Sequence, residues 1–483
     1  MTTSSFADHI NHLQSLYSQA LARPESDPLG AVLIHSGVEH SYFADDRAIP
    51  FQAFGHFCHW LPINRPDQFL LIRPGQRPTY LQIVPQDFWH DQTIDNAPWW
   101  AEQFTIQQLA DVSELTDHLP DVPIAYLGES ADLAKSLQGS AQQALQHDSD
   151  PVTSLWRYLD FHRATKTGYE IEQLSEAARI ALLGHAAARE SFLGGGSEFD
   201  IHMAYLQACR AQENETPYTN IVAVNEKAAI LHYQQKRVTA QTDNAVLLID
   251  AGHRLRNYGS DITRTTATES AHPVFRALLE GMAQLQNNVV ASVAPGIPYP
   301  QLHQQTLSEL TQLLVDLELC SGDPETLLAQ RIPQLFMPHG VGHLLGIQVH
   351  DVGGHQSDEL GTIVPPPEHS PALRTTRTIT ENMVFTIEPG CYFIPMLLEP
   401  ERKSSRGKAI NWTLVDQLYG CGGIRLEDNI LVTARGQRNL LPSSQLHQQL
   451  RDQTQVRWQG LLVRINQGFT GGAHGCSLVG GIE

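Results

Sequence analysis

The sequence predicts a mixed α/β (α+β) protein: an N-terminal α/β domain followed by a larger second domain. Three observations lead there. A chain of 483 residues exceeds what one hydrophobic core usually fills. The first 160 residues alternate short apolar runs with turn residues, and the remainder interleaves helix-period stretches with β-branched runs. Apolar residues make up 41% of the chain, which gives both domains enough material for a core.

In the N-terminal part, "GAVLIHSG" and "QFLLIRPG" read as buried strands stopped by glycine or proline. From Asp150 the spacing predicts a long helix, in which Ile171, Leu174, Ala178, Ala181 and Leu182 share a face until Gly194-Gly195-Gly196 ends it. Ser197 and Asp200 then form a capping-box pattern that starts another helix. "FRALLEGMAQLQNNVVASV" and "YPQLHQQTLSELTQLLVDL" are two amphipathic helices separated by the turn "APGIP". The strands of this half are "NAVLLIDAG", "SDITRTTAT", "NMVFTIEPG" and "GGIRLEDNILVT". The expected domains are therefore 1–160 and 161–445, followed by a tail, 446–483. Six of the sixteen residues from Gly468 to Glu483 are glycine with no period among the rest, so the tail is expected to be mobile.

Charge and cysteine usage narrow the function. With 32 basic against 52 acidic residues the formal charge is −20, which repels a phosphate backbone or an anionic membrane surface. Nucleic acid and membrane are therefore not expected partners. The 6 cysteines include no CxxC pair, which argues against a zinc knuckle or a disulfide framework. The N-terminus carries no secretory pattern and no run is apolar enough to span a bilayer, so the expected location is the cytoplasm.

The chemistry-bearing residues lie at strand ends. Asp250 closes "LLID" and Asp261 opens "DITRT"; a hairpin about "HRLRNYG" brings both to one end of a sheet, where like charges repel unless a proton or cation intervenes. Solvated turn aspartates are the plainer reading of these two alone. Glu388 in "VFTIEPG" and Glu427 in "GIRLEDN" follow apolar runs and so need a buried partner, whether a metal, a donor network or Arg425 on the same strand face. Phe336–His355, "FMPHGVGHLLGIQVHDVGGH", holds His339, His343, His350 and His355 among five glycines, too many for a zinc-binding helix, so these histidines belong to a loop or extended strand. One neutral imidazole beside four carboxylates is an oxygen-rich set that suits Mn²⁺ or Co²⁺ at least as well as Zn²⁺, with room for two ions.

The strings "LLIDAG", "SDITRT", "MPHGVGHLLGIQVHDVGG", "VFTIEPGCYF" and "GGIRLEDN", in this order, resemble the bacterial Xaa-Pro dipeptidases (prolidases) of the pita-bread metallopeptidase family and the similar organophosphorus acid anhydrolases. The likeness extends through "FADDRAIPF", "PQDFWHD" and "TPYTNIVAVNEKAAILHY" and stops near Leu441. It implies a C-terminal pita-bread (creatinase/aminopeptidase-like) catalytic domain with two divalent ions per subunit, Mn²⁺ foremost. Asp250 would chelate one ion, Asp261 and Glu427 would bridge both, and His343 with Glu388 would complete the second. The implied activity is hydrolysis of dipeptides with C-terminal proline by a hydroxide bridging the ions, with a side activity on organophosphorus esters. Glu388 or His350 would transfer the proton to the leaving nitrogen. His232, His339 and His350 would line the substrate pocket, and Arg374 would take the terminal carboxylate in a bidentate fork. Tyr218 and Arg425 would support the pocket. Asp45 would reach the site of a neighbouring subunit in a homodimer. The resemblance assigns His355 no such role, and it is read as structural. The alternatives are an aminopeptidase acting on longer Xaa-Pro peptides and a binding module that has lost catalysis. The latter predicts missing ligands, whereas all five positions carry the expected residue types.

Overall fold

The structure is a computed structural model, and it describes residues 3–138, 145–146, 149–212 and 215–441. The tail 446–483 lies outside the described residues. Met1–Leu441 form one compact unit, and the expected boundary at residue 160 lies inside the helix Asp150–Arg163.

The apolar runs of the N-terminal part become a six-stranded sheet in the order Thr105–Leu109, Thr79–Ile83, Phe69–Ile72, Ala31–His35, Ile124–Leu127, Leu145–Gln146 among the described residues. Ala31–His35 pairs antiparallel with Phe69–Ile72 and parallel with Ile124–Leu127, so it is covered on both edges. Its every residue is buried, as a central strand requires. The helices Thr3–Leu21, Gly55–Trp60 and Asp150–Arg163 pack over this sheet. Their apolar layer continues without a gap into the second half, where Tyr258, Leu345, Ile347 and Val384 join the same cluster.

The segment from Asp150 is not one long helix. Asp150–Arg163 ends and Gly168–Leu193 begins anew, because Thr167 caps the second helix: its Oγ1 accepts from the Glu170 amide and the Glu170 carboxylate accepts from the Thr167 amide. This T-x-x-E box competes with helix continuation by satisfying amides that would otherwise be free. The expected box at Ser197 and Asp200 starts Glu198–Cys209 in the same way. The two expected amphipathic helices are Pro273–Ala291 and Tyr299–Asp316, which bury Phe275, Leu278, Met282, Leu302, Leu307 and Leu310 in a core beneath the second half.

Three small antiparallel sheets position the site. Val246–Asp250 pairs with Ile221–Val224 and with Thr263–Ala267. Val384–Ile387 pairs with Asp428–Thr433, and Gly390–Tyr392 pairs with Gly423–Arg425. The last two pairings involve the same two stretches of chain, interrupted at Glu388-Pro389 on one and Leu426-Glu427 on the other. No helix among the described residues is long and apolar enough to cross a membrane.

Candidate metal centre

The interruption places the two glutamates. Freed from their own ladder, Glu388 gives its amide to Val341 O (2.8 Å) and Glu427 gives its amide to Thr263 O (3.1 Å). Thr263 faces Asp250 across one sheet and bridges to Glu427 in the next, so the ends of separate sheets meet at this residue. Asp261 stands two residues before Thr263, on the same side of an extended chain.

The histidine-rich segment docks as an extended strand rather than a helix. Leu344 bridges to Phe385, and the Thr386 amide donates to His343 O at 2.9 Å. Gly342 makes this approach feasible, since a Cβ there would run into Thr386 O and Tyr299 Oη. His343 thus comes to lie beside Glu388, with its Nδ1–H donating to Leu344 O at 3.0 Å. That bond occupies Nδ1 and leaves Nε2 pointed at the carboxylates.

Nε2 of His343 stands 3.3 Å from Asp261 Oδ2, 3.6 Å from Glu388 Oε1 and 4.0 Å from Glu427 Oε1. One donor atom each from Asp261, His343 and Glu427 lies within 4.8 Å of the others. Asp250 approaches from the other side, where Tyr218 Oη is 2.7 Å from Asp250 Oδ1 and 2.6 Å from Asp261 Oδ1. One phenolic proton cannot serve both oxygens. Arg425 reaches Asp250 Oδ2 at 2.5 Å, and among the described residues no other Arg or Lys makes a salt bridge with the four carboxylates.

The electrostatics follow. Burial, then repulsion from Asp261, Glu388 and Asp250, pushes the Glu427 carboxyl well above its usual range. Burial likewise raises Glu388 to about 7, and raises Asp250 despite Arg425. Burial would also raise Asp261, but its contact with the His343 imidazole holds it low. Four carboxylates cannot all be ionised here without further positive charge. Burial would lower the His343 pKa, but Asp261 and Glu388 raise it, so the imidazole nitrogen and the carboxylate oxygens that converge on it draw positive charge into their midst, a donor set that fits divalent cations.

Residues beyond the five cluster in two groups. Arg425 does not pair with Glu427, as the same-face reading allowed, but with Asp250. Its Nε donates to Thr263 Oγ1 (3.0 Å) and its Nη1 to Tyr392 Oη (3.0 Å), while Thr263 Oγ1 donates to Glu427 Oε2 (2.6 Å). Tyr392 Oη also meets His339 Nε2 at 2.9 Å, and His339 Nδ1–H donates to Gly340 O at 2.7 Å. Burial lowers His339 to about 3, so it is a neutral acceptor. The second group lies toward solvent. The His350 ring stands edge-on to His343 with centroids 4.4 Å apart, and partial burial, then His343 and Arg374, lower it to about 4. His232 and Arg374 are exposed, yet both lie close enough to His350 to depress it. Asp45 is exposed on a loop of the N-terminal part, where its carboxylate accepts from the Arg47 amide at 3.1 Å. His355 Nε2–H donates to Leu373 O at 3.0 Å.

Thr263, Thr386, Tyr392 and Asn429, whose Oδ1 accepts from the Asp261 amide at 3.2 Å, escape the sequence reading. Three of them sit two residues from an expected ligand on an extended chain: Thr263 from Asp261, Thr386 from Glu388 and Asn429 from Glu427. The strand period alone could have found them. Tyr392 has no such signal.

Buried carboxylates and one oriented imidazole, gathered where small antiparallel sheets meet, define a metal-dependent hydrolase. Residues 172–434 match "Metallopeptidase family M24" and residues 4–161 match "Xaa-Pro dipeptidase, N-terminal domain". The chain belongs to metallopeptidase family M24. It is 42% identical over 438 residues to the Xaa-Pro dipeptidase of Shewanella woodyi, covering 90% of this chain and 97% of that protein. It is 41% identical over 434 residues to the Xaa-Pro dipeptidase of Pseudoalteromonas atlantica, covering 88% and 95%. Among solved structures it resembles Escherichia coli aminopeptidase P with the inhibitor Pro-Leu (TM-score 0.69, 23% identity, 92% of this chain and 95% of that one). It also resembles proline aminopeptidase P II from Yersinia pestis (TM-score 0.68, 24% identity, 92% and 97%). At that identity the likeness speaks to fold, which is of the pita-bread type.

Proposed function

We propose that this chain hydrolyses Xaa-Pro dipeptides and releases proline, with Asp250, Asp261, His343, Glu388 and Glu427 holding two divalent ions. The observation that carries the reading is three buried carboxylates, the half-buried Glu388 and one imidazole nitrogen facing each other with a single guanidinium alongside. Oxygen predominates in the set, which favours Mn²⁺ over Zn²⁺. Two such ions, when bound, polarise a peptide carbonyl and lower the pKa of water toward neutrality.

The chain's own residues do the rest. Arg425 and Tyr218 hold Asp250 and Asp261 in place from behind, and Thr263 does the same for Glu427. Glu388 and His350 stand on the solvent side of the cluster, where a proton must pass to the leaving nitrogen. His232, His350 and Arg374 form a patch of donors at the mouth, suited to the free carboxylate of a C-terminal proline, and His339 lines the inner wall. Because the scissile bond to proline has no N–H, the pocket needs ring-shaped space there rather than an acceptor.

We also propose that two copies act together. Phe43 is fully exposed and Phe88 and Trp89 are nearly so, and a second copy of this chain would cover such apolar side chains while bringing Asp45 to its partner's pocket. The five described cysteines are free and buried, consistent with action in a reducing cytoplasm.

The test is proline release from Ala-Pro and from Ala-Pro-Ala by protein stripped with chelator and resupplied with Mn²⁺. Activity returning on the dipeptide alone supports the reading. Equal or faster cleavage of the tripeptide replaces it with an aminopeptidase, and no cleavage of either removes peptide hydrolysis.

A further inference from the structure

A second convergence of donors lies away from the catalytic cluster. His9 comes from the helix Thr3–Leu21, His59 from Gly55–Trp60, and Glu170 from the first turn of Gly168–Leu193. All three are buried, with relative exposures of 1%, 6% and 1%. One donor atom from each lies within 4.8 Å of the others. The catalytic chemistry makes no use of them.

Their geometry repeats that of the centre described above. His9 Nε2–H donates to the His59 carbonyl at 2.7 Å, as His343 Nδ1–H donates to Leu344 O. Such a bond makes the other nitrogen an acceptor: Thr167 Oγ1–H donates to His9 Nδ1 at 2.8 Å, and Glu170 Oε2 lies 3.9 Å from the same nitrogen. His59 Nε2 stands 3.3 Å from Glu170 Oε1, the same separation as His343 Nε2 from Asp261 Oδ2. Glu170 Oε1 is buried without a well-formed hydrogen bond, and although burial alone would raise the carboxyl, His59 beside it holds it well below its usual range. Two donors at 2.0–2.1 Å from a tetrahedral ion are separated by about 3.3 Å. Glu170 Oε2 accepts from the Thr167 amide at 2.8 Å, which orients the carboxylate, and Thr167 Oγ1, 2.8 Å from His9 Nδ1, is the nearest additional oxygen. The basic groups closest to Glu170 and His59, Lys166 and Arg163, are both engaged by Asp351. A buried carboxylate oxygen left without a donor is costly unless something positive stands in front of it.

We propose that His9, His59 and Glu170 form a structural metal site that takes one Zn²⁺. Two imidazoles and one carboxylate make a softer set than the oxygen-rich catalytic cluster, so the two sites would prefer different metals. Burial lowers the pKa of both imidazoles, that of His59 to about 4, which keeps them neutral and able to bind an ion at physiological pH. The ion would fasten two N-terminal helices to the helix that opens the catalytic half, and would stabilise the fold by mass action.

The test is a metal count that does not depend on turnover. Full-length protein is stripped with chelator, equilibrated with excess Zn²⁺, freed of unbound ion and analysed for zinc and protein. Wild type is expected to hold one equivalent more than His59→Phe and one more than Glu170→Gln, three against two if the catalytic cluster takes two. A thermal midpoint that Zn²⁺ raises more in wild type than in either variant is the second readout. Mn²⁺-dependent proline release retained by a variant identifies it as folded, so its missing equivalent is not a loss of structure. Equal zinc content in wild type and a folded variant overturns the proposal, as does a wild-type content of two or fewer with the catalytic cluster filled. If the catalytic reading were wrong, both totals would fall together while the difference of one would remain.

Discussion

Two buried carboxylate clusters lie at opposite ends of one short loop, and they are built on opposite principles. At Asp351 a single carboxylate, 1% exposed, receives Arg163 Nη2 at 2.6 Å and Lys166 Nζ at 2.8 Å, and although burial alone would raise it, the two cations hold it at about 2. At His343, eight residues earlier in the chain, four carboxylates share one guanidinium, and one of them rises to about 7. The first cluster is complete within the protein and the second is not. The contrast separates charge that is matched inside the protein from charge that is not.

Changes in the two clusters should therefore be felt in different observables. The largest effect is expected for Glu427→Gln, which removes a proposed ligand. Losing the several kcal/mol that a bound metal contributes to the transition state should cost roughly 10³-fold in kcat/KM. Metal analysis and Ala-Pro turnover check this, and near-normal rates with normal metal content would erase the distinction. Asp351→Asn should act on stability instead, leaving two buried cations uncompensated at a cost of about 3–5 kcal/mol in denaturant unfolding. A loss well under 1 kcal/mol would mean that Asp351 is not what holds the loop.

The same pair has a pH signature. Because the folded pKa of Asp351 is depressed to about 2, its contribution is fully present above the unfolded value near 4 and is lost as pH falls toward 2. The thermal midpoints of wild type and Asp351→Asn should differ by a constant amount above about pH 5 and converge in acid. Arg425→Lys, which keeps the charge but loses the fork that joins Asp250, Thr263 and Tyr392, should weaken metal affinity about 10–100-fold, read by competition with a chelator. Smallest is Ser197→Ala, remote from both clusters, expected to cost about 1 kcal/mol through loss of a helix cap with kcat/KM unchanged.

Most of this fold is legible where a local rule decides it. The strand that ends at Asp250 and the one that stops just before Glu388 follow from apolar runs, and Ser197 with Asp200 marks a helix start by itself. The helix break at Thr167 was equally local, a T-x-x-E box hidden inside a strongly periodic stretch. The partners of Arg425 and Tyr392 are a different matter. Each joins residues from separate sheets, and no spacing along the chain encodes which strand face meets which. The His9, His59 and Glu170 convergence is hidden for the same reason, its members being separated by 50 residues and more in sequence.

The paired interruption at Glu388-Pro389 and Leu426-Glu427 acts as a ruler. On either side of it the chain is held in register by Ile387 opposite Asp428 and by Gly390 opposite Arg425. Adding or deleting one residue there would not merely lengthen a loop. It would slide one register against the other and turn Glu388 or Glu427 away from the cluster. Elsewhere a surface loop can drift in length, but in this stretch the number of residues is itself a catalytic requirement, a constraint that would bar insertions long before it barred substitutions.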